Sequence, residues 1–438
     1  MYYKQILREK PIYEDILDYL GKEYRESLYN SVFMPVLIEY VSWVLEEAQK
    51  SGKKRLYFLA RDGYQMYLAA QKLCEMQKLS LECRYLEVSR FAMRLPEYHL
   101  LKERCVDYIC TGGIDVTTER ILKRSGLQEE LAGTYLNNYS AKRLLNYKEV
   151  QDIKGNLRSN TAFLEQVYEV SKKAYEPAIC YLRQEGLMDG VSMAFVDSGW
   201  VGTLQQSISH LLGRKDLEGY YFGLYEIPKH ADSKKYHAFY FSPASGLRRK
   251  VNFSNCLFEA VFTSPEGMTI GYECKESRYV PIKDFHTNPN EIQVSKNIRD
   301  LDAYMDVYKT LMHNHKISHE DMYTSKKKRT AFVEKLFCKC MGEPTNWEVS
   351  ILGNLLFSDD VLEGNLKKVA ADLTTEEIRT QRFLNKALIM LGRKDEELHE
   401  SAWIEGSIQK NGVQMKQNLY HAKLYKVFVY IRKYIHQM

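Results

Sequence analysis

The sequence predicts an α/β protein: a Rossmann-like, mainly parallel sheet with a helical insertion and a helical C-terminal region. Three observations carry that expectation. Residues 55–60 are a short apolar run closed by Arg61-Asp62-Gly63, residues 64–77 show helical apolar spacing, and residues 83–88 are a second apolar run. Strand, charged glycine turn, helix and strand within about 40 residues is the size of a parallel crossover. Residues 193–196 form a third apolar run that ends in Asp197 and leads through a glycine turn to a helix near Thr203. From Asn288 onward the spacing is helical.

Taken in order, helices are expected over residues 13–24 and 31–50. In the second, Val36, Leu37, Tyr40, Val41, Val44 and Leu45 recur at helical spacing, and Ser51-Gly52 ends it. Together they make an N-terminal helical segment, 1–50, ahead of an α/β catalytic domain, 51–285. Within that domain residues 96–181 read as mainly helical and polar, an insertion or lid over a site at the strand ends. Asp115 or Thr117 can cap a helix there that runs through Lys123 and stops at Arg124-Ser125-Gly126. Another helix is expected over 161–186, further strands at 219–224 and 237–241, and a hairpin at 272–281. The C-terminal region, 286–438, reads as helices at 291–314, 326–341 and 375–391. Thr374 and Glu377 open the last with capping-box spacing. The chain closes with a helix over 414–436 whose Tyr420, Leu424, Val427, Phe428, Ile431 and Ile435 share one face.

Hydrophobic content of 45% and charged content of 27% are those of a globular chain, and a net charge of +5 on 438 residues gives no nucleic-acid signal. The basic excess is local, because residues 406–438 hold six Lys and Arg and no Asp or Glu. Such a helix can lie on an anionic membrane surface, or dock on the protein's own core with its lysines in solvent. Nine scattered cysteines, with Cys338-Lys339-Cys340 lacking a partner pair, read as reduced thiols rather than zinc ligands. The first residues lack a signal-peptide apolar run, and no stretch reaches the roughly 18 apolar residues of a membrane span. The expectation is a cytoplasmic protein, with residues 410–438 as a candidate contact with the inner membrane face.

Three strands share one layout, an apolar run with a polar end: Leu59-Ala60-Arg61-Asp62-Gly63, Leu86-Glu87-Val88-Ser89-Arg90, and Phe195-Val196-Asp197-Ser198-Gly199. Ligands of open α/β sheets bind at the carboxyl ends of strands. If these three are parallel, Arg61, Asp62, Ser89, Arg90 and Asp197 converge. Two arginines, two acids and two glycine turns suit a phosphorylated ligand with Mg²⁺. Guanidinium forks match phosphate oxygens, and carboxylates hold Mg²⁺ through one or two contacts plus water. Asp62 and Asp197 are the candidate metal ligands. The turn 199–202 opens a helix whose free N–H groups and positive end attract an anion. The plainer alternative is an ordinary βα turn capped by Asp197 and Thr203. Asp300-Leu301-Asp302 has the D-x-D metal pattern of many nucleotide-sugar transferases, yet sits in a helical stretch and reads as a solvated face. No G-x-S-x-G, Walker-A or H-E-x-x-H pattern occurs, nor a strand running into D-x-D-x-T.

Phe58-Leu59-Ala60-Arg61-Asp62-Gly63-Tyr64, Val88-Ser89-Arg90 and Val196-Asp197-Ser198-Gly199-Trp200-Val201-Gly202-Thr203-Leu204-Gln205 together resemble the FLARDG…SR…DxGWxGTxQ domain of bacterial cell-surface polysaccharide gene clusters. That domain is often fused behind a haloacid-dehalogenase-like phosphatase. The resemblance covers about residues 33–272. The layout is also similar to phosphoribosyltransferases, and implies a sheet of that type. In them a strand ends in acids, and a Gly/Thr loop takes the 5-phosphate of phosphoribosyl diphosphate (PRPP). Polysaccharide ribofuranosyltransferases of this kind move ribofuranose 5-phosphate to a glycan or lipid-linked glycan acceptor, and a separate phosphatase then removes the phosphate. Carried onto this chain, Ser198, Gly199, Trp200, Gly202 and Thr203 take the 5-phosphate end of the donor. Asp197 holds the ribose hydroxyls beside Mg²⁺. Arg61, Gly63, Ser89 and Arg90 hold the diphosphate, and Asp62 is the base for the acceptor or a metal ligand. The usual loop has two adjacent acids, whereas here Ser198 follows Asp197. Asp62 is the candidate for the missing carboxylate. The alternatives are a degenerate phosphatase-like or PRPP-binding protein that makes no bond, and a nucleotide-sugar glycosyltransferase.

Overall fold

The structure, a computed structural model, describes residues 3–111, 116–127, 134–135, 143–284, 288–314, 324–358, 366–390, 393–394, 396 and 398–437. Its centre is a five-stranded, all-parallel sheet in the order β2-β1-β3-β4-β5, built from Arg55–Leu59 (β1), Glu82–Leu86 (β2), Met193–Trp200 (β3), Glu218–Leu224 (β4) and Tyr236–Phe241 (β5). All five residues of β1 are buried, which is why Leu56 to Leu59 read as a continuous apolar run rather than an alternating one, with Arg55 at the start paired to Glu82 and Asp189.

Side chains still divide by parity between the two faces. Leu56 and Phe58 join a core with Met34–Lys50 (α1) and Gly63–Gln77 (α2), while Tyr57 and Leu59 pack toward Arg90–Leu101 (α3), Thr161–Gln184 (α4) and Thr203–Leu212 (α5). The connection from β1 to β2 thus crosses one face, and that from β3 to β4 the other. A right-handed crossover requires this when the chain reverses direction across the sheet. The reversal lies between β1 and β3, the switch point where such sheets open a cleft at their carboxyl edge.

Residues 96–181 carry a core of their own around Tyr98, Ile109, Ile121, Ile153 and Phe163. Thr117 caps Thr118–Ser125 as expected, whereas Asp115 and Leu391 lie outside the described residues. The first core draws also on Leu301, Tyr304, Phe337 and Trp403, so N-terminal helices, sheet and C-terminal region share it. No helix among the described residues is long and apolar enough to cross a membrane.

Several element bounds differ from expectation, each for a local reason. The first expected helix is broken at Gly21, whose φ of +92° starts a new one. The helix ending at Lys50 is entered through a π-helical turn at Tyr29–Phe33. The expected helix over 375–391 divides into Thr375–Thr380 and Phe383–Met390, although the Thr374–Glu377 capping box forms. The hairpin is longer, Thr269–Lys275 (β6) against Arg278–Lys283 (β7). The third strand does not stop at Val196 but continues to Trp200, because Gly199 pairs with Gly223 and Trp200 with Leu224.

Candidate active site

The carboxyl ends of β1, β2 and β3 open into one cavity of about 190 Å³. Of the residues selected from sequence, Arg61, Asp62, Ser89, Arg90, Asp197, Ser198, Gly199, Trp200, Gly202 and Thr203 line it. Gly63 does not. It is the first residue of α2, and a Cβ there would stand 2.9 Å from the Phe58 carbonyl carbon, so its smallness lets the turn close on the strand. The far wall comes from Thr263, Met268, Asn288, Pro289 and the stretch 356–358; no described residue of 96–181 lines the cavity.

The turn after β3 is shaped by backbone that only glycine adopts freely. Gly199 has φ +111°, and a Cβ there would lie 2.3 Å from the Gly223 carbonyl oxygen. Gly202 has φ +74° and is the N-cap of α5, with no side chain bonded to it. Neither Asp197 nor Thr203 is the cap. The first-turn N–H groups of a ten-residue helix therefore face the cavity edge without a side-chain acceptor. Tyr40 on α1 reaches the main-chain oxygens of Asp197 and Tyr220, each at 2.9 Å, and fixes β3 against β4.

Arg94, which sequence reasoning passed over, sits one helical turn beyond Arg90. It is 6% exposed, and its Nη2 donates to Thr203 Oγ1 at 2.8 Å. Its guanidinium lies over the Tyr108 ring, 4.4 Å from the centroid, and its Nε has no partner. Burial, and then Arg90, push it down to about 10, so it remains charged at neutral pH. A buried cation beside a positive helix end repels it unless an anion lies between.

Glu259, on Asn255–Val261 (α6), is a second unforeseen member. The Trp200 indole Nε1 donates to its Oε1, and the Trp200 ring packs among Tyr225, Phe241, Phe253 and Phe258. Trp200 thus serves as the wall that aims Glu259. Three carboxyl groups now share the cavity. Burial, then Glu259 and Asp197, push Asp62 well above the usual carboxylate range, although Ser198 Oγ donates to its Oδ2 at 2.5 Å. Burial and Glu259 push Asp197 up to about 7. Burial also raises Glu259, against the pull of Arg90, Trp200 and Arg61.

Ser89 lines the cavity, but its hydroxyl is occupied: it donates to the Thr269 carbonyl at 2.6 Å and accepts from Ala92 N at 3.0 Å as the cap of α3. The D-x-D pair lies elsewhere, on Glu291–Asn314 (α7). Asp300 accepts from Asn30 at 3.0 Å, while Asp302 faces Lys72, so the two point apart as i and i+2 on a helix must.

Among the described residues no three His, Cys, Asp or Glu side chains form a ready-made metal cage. The oxygen donors Asp62, Asp197 and Glu259 nonetheless fit Mg²⁺, which binds through one or two carboxylates and completes its shell with water and phosphate. Their mutual repulsion is what a divalent cation would relieve. Fold and site together define a doubly wound α/β protein with an acid- and arginine-lined cleft at its switch point. No family model and no curated protein matches the chain.

Proposed function

We propose that this protein is a PRPP-dependent glycosyltransferase, moving ribofuranose 5-phosphate to a glycan acceptor in bacterial cell-surface polysaccharide synthesis. The observation that carries the reading is one cavity joining an uncapped helix N-terminus, three carboxyl groups and two arginines at the switch point. A PRPP molecule needs all of these: an anion cradle for the 5-phosphate, acids for Mg²⁺ and for the acceptor proton, and cations for the diphosphate.

In this scheme the N–H groups at the start of α5, backed by Arg94 through Thr203, take the 5-phosphate. Arg61 and Arg90 take the diphosphate and stabilise the charge that grows on it. Asp197 and Glu259 would hold Mg²⁺, which when bound draws charge from the leaving group. Glu259 thereby supplies the second acid that the 197–203 loop lacks, and Asp62 is left as base. The acceptor oxygen bonds to the ribose anomeric carbon, the bond from that carbon to diphosphate breaks, and the acceptor proton passes to Asp62. Asp62 takes that proton in its ionised form, and Ser198 Oγ, which donates to its Oδ2 at 2.5 Å, orients it. The product keeps its 5-phosphate, so a separate phosphatase would follow.

The test is diphosphate release from PRPP and Mg²⁺ in the presence of glycan acceptors. Asp62→Asn should abolish release while PRPP still raises the melting temperature. Binding without turnover in the wild type would favour a non-catalytic PRPP-binding protein. A shift with UDP- or GDP-sugars instead, and none with PRPP, would sink the proposal.

A further inference from the structure

The last helix, Met415–Gln437 (α9), lies on the protein by a mixed side, where Ala422 is buried and Met415 and Leu419 pack beside it on Ile378 and Ile408. Lys423 pairs with Glu343 at 2.8 Å, Lys426 with the buried Glu405 at 2.7 Å, and Lys433 with Glu226 at 2.5 Å. Tyr430 stacks on Tyr225, with ring centroids 5.6 Å apart. Four residues of the apolar stripe face outward, with Tyr420 64%, Phe428 48%, Ile431 43% and Ile435 67% exposed, while Leu424 and Val427 are half-buried. Phe383–Met390 (α8) extends the patch. Phe383 packs edge-on against Phe428 at 5.7 Å, and Leu384 is 68% exposed.

A surface helix normally turns its apolar stripe to the core. Here a first apolar set, Leu419, Ala422 and Tyr430, already takes the inward side, and the second stripe is left facing out. The border of the stripe is basic. Lys416 and Arg432 are exposed and have no acidic partner among the described residues.

We infer that this face docks on an anionic lipid bilayer. α9 lies in the membrane plane, Phe428, Ile431 and Ile435 enter the headgroup–acyl boundary, and Lys416 and Arg432 meet lipid phosphates. A second copy of the chain is the other occupant an apolar face invites. Charge argues against it, since pairing two such faces gathers four unanswered cations, with no acid anywhere in α9. None of these residues lines the cavity, so the inference stands apart from the PRPP reading.

Flotation of the full chain with vesicles tests it. The protein should float with phosphatidylglycerol–phosphatidylcholine vesicles, not with phosphatidylcholine alone, and high salt should weaken the association. Lys416→Gln with Arg432→Gln should weaken it about 30-fold, as two basic contacts of about 1 kcal/mol each imply. Ile431→Ser with Ile435→Ser should abolish it, while circular dichroism shows an unchanged melt because both side chains are exposed. Absence of flotation would overturn the inference, as would flotation that survives both double variants. A dimer in light scattering that Ile431→Ser with Ile435→Ser dissociates would assign the face to self-association instead.

Discussion

Asp197→Asn should make the protein more stable and inactive, and the gain should depend on pH. Asp197 holds its proton more tightly in the folded chain, where it titrates at about 7, than at its ordinary value of 3.8. Across that window the folded chain keeps a proton that the unfolded chain has released, so stability falls as pH rises. At about 1.4 kcal/mol for each pH unit, the full loss is roughly 4 kcal/mol. Partial solvent contact and ionisation shared with Glu259 reduce the expected loss to about 2 kcal/mol. The Asn variant lacks this titration. It should match the wild type near pH 4 and exceed it by about 2 kcal/mol near pH 8. Urea unfolding followed by tryptophan fluorescence across that range gives the comparison. A constant offset, or a variant that is less stable at the alkaline end, would show that the carboxylate is ionised and satisfied in the fold.

Three further outcomes follow from the site. Glu259→Gln keeps an acceptor for the Trp200 indole but removes the charge that raises Asp62 and Asp197, so residual turnover should shift its alkaline-rising limb to lower pH. The rate should fall about 100-fold, measured as diphosphate release. Gly199→Ala forces φ +111° on alanine and drives its Cβ against the Gly223 carbonyl; it should cost about 3 kcal/mol, whereas Gly412→Ala, with φ +77° and open space around it, should cost about 1 kcal/mol in the same melts. Arg94→Met should weaken PRPP binding about tenfold in calorimetry with little change in melting temperature, because relief of the buried charge offsets the lost Thr203 bond and Tyr108 contact.

The three strand ends were legible because buried parallel strands are uninterrupted apolar runs, and a charged residue at the end of one is conspicuous. Their convergence needed only the parallel sheet. Glu259 was not legible. It lies in the apolar stretch 255–262, and only the packing of α6 over the end of β3 brings it beside Asp197. Arg94 hides in a helix whose start, at Arg90, precedes the residue-96 boundary read from composition. Gly63 looked like a phosphate turn because sequence shows a missing side chain but not which neighbour requires it. The tail illustrates the same gap. Periodicity tells which residues of α9 share a face, while what turns inward is set by partners from elsewhere: Ile378 and Ile408 for Ala422, Tyr225 for Tyr430, and acids for Lys423, Lys426 and Lys433.

The indole of Trp200 has consequences beyond the turn it occupies. It leans on Tyr225 at 5.9 Å, and Tyr225 lies nearly flat on Tyr430 of α9, the two planes 3° apart. Two ring contacts therefore connect the acid held by the indole to the end of the chain. The tail is a buttress as well as a surface. A protein clipped before α9 would keep its sheet, yet Tyr225 would lose its backing and the indole would hold Glu259 loosely.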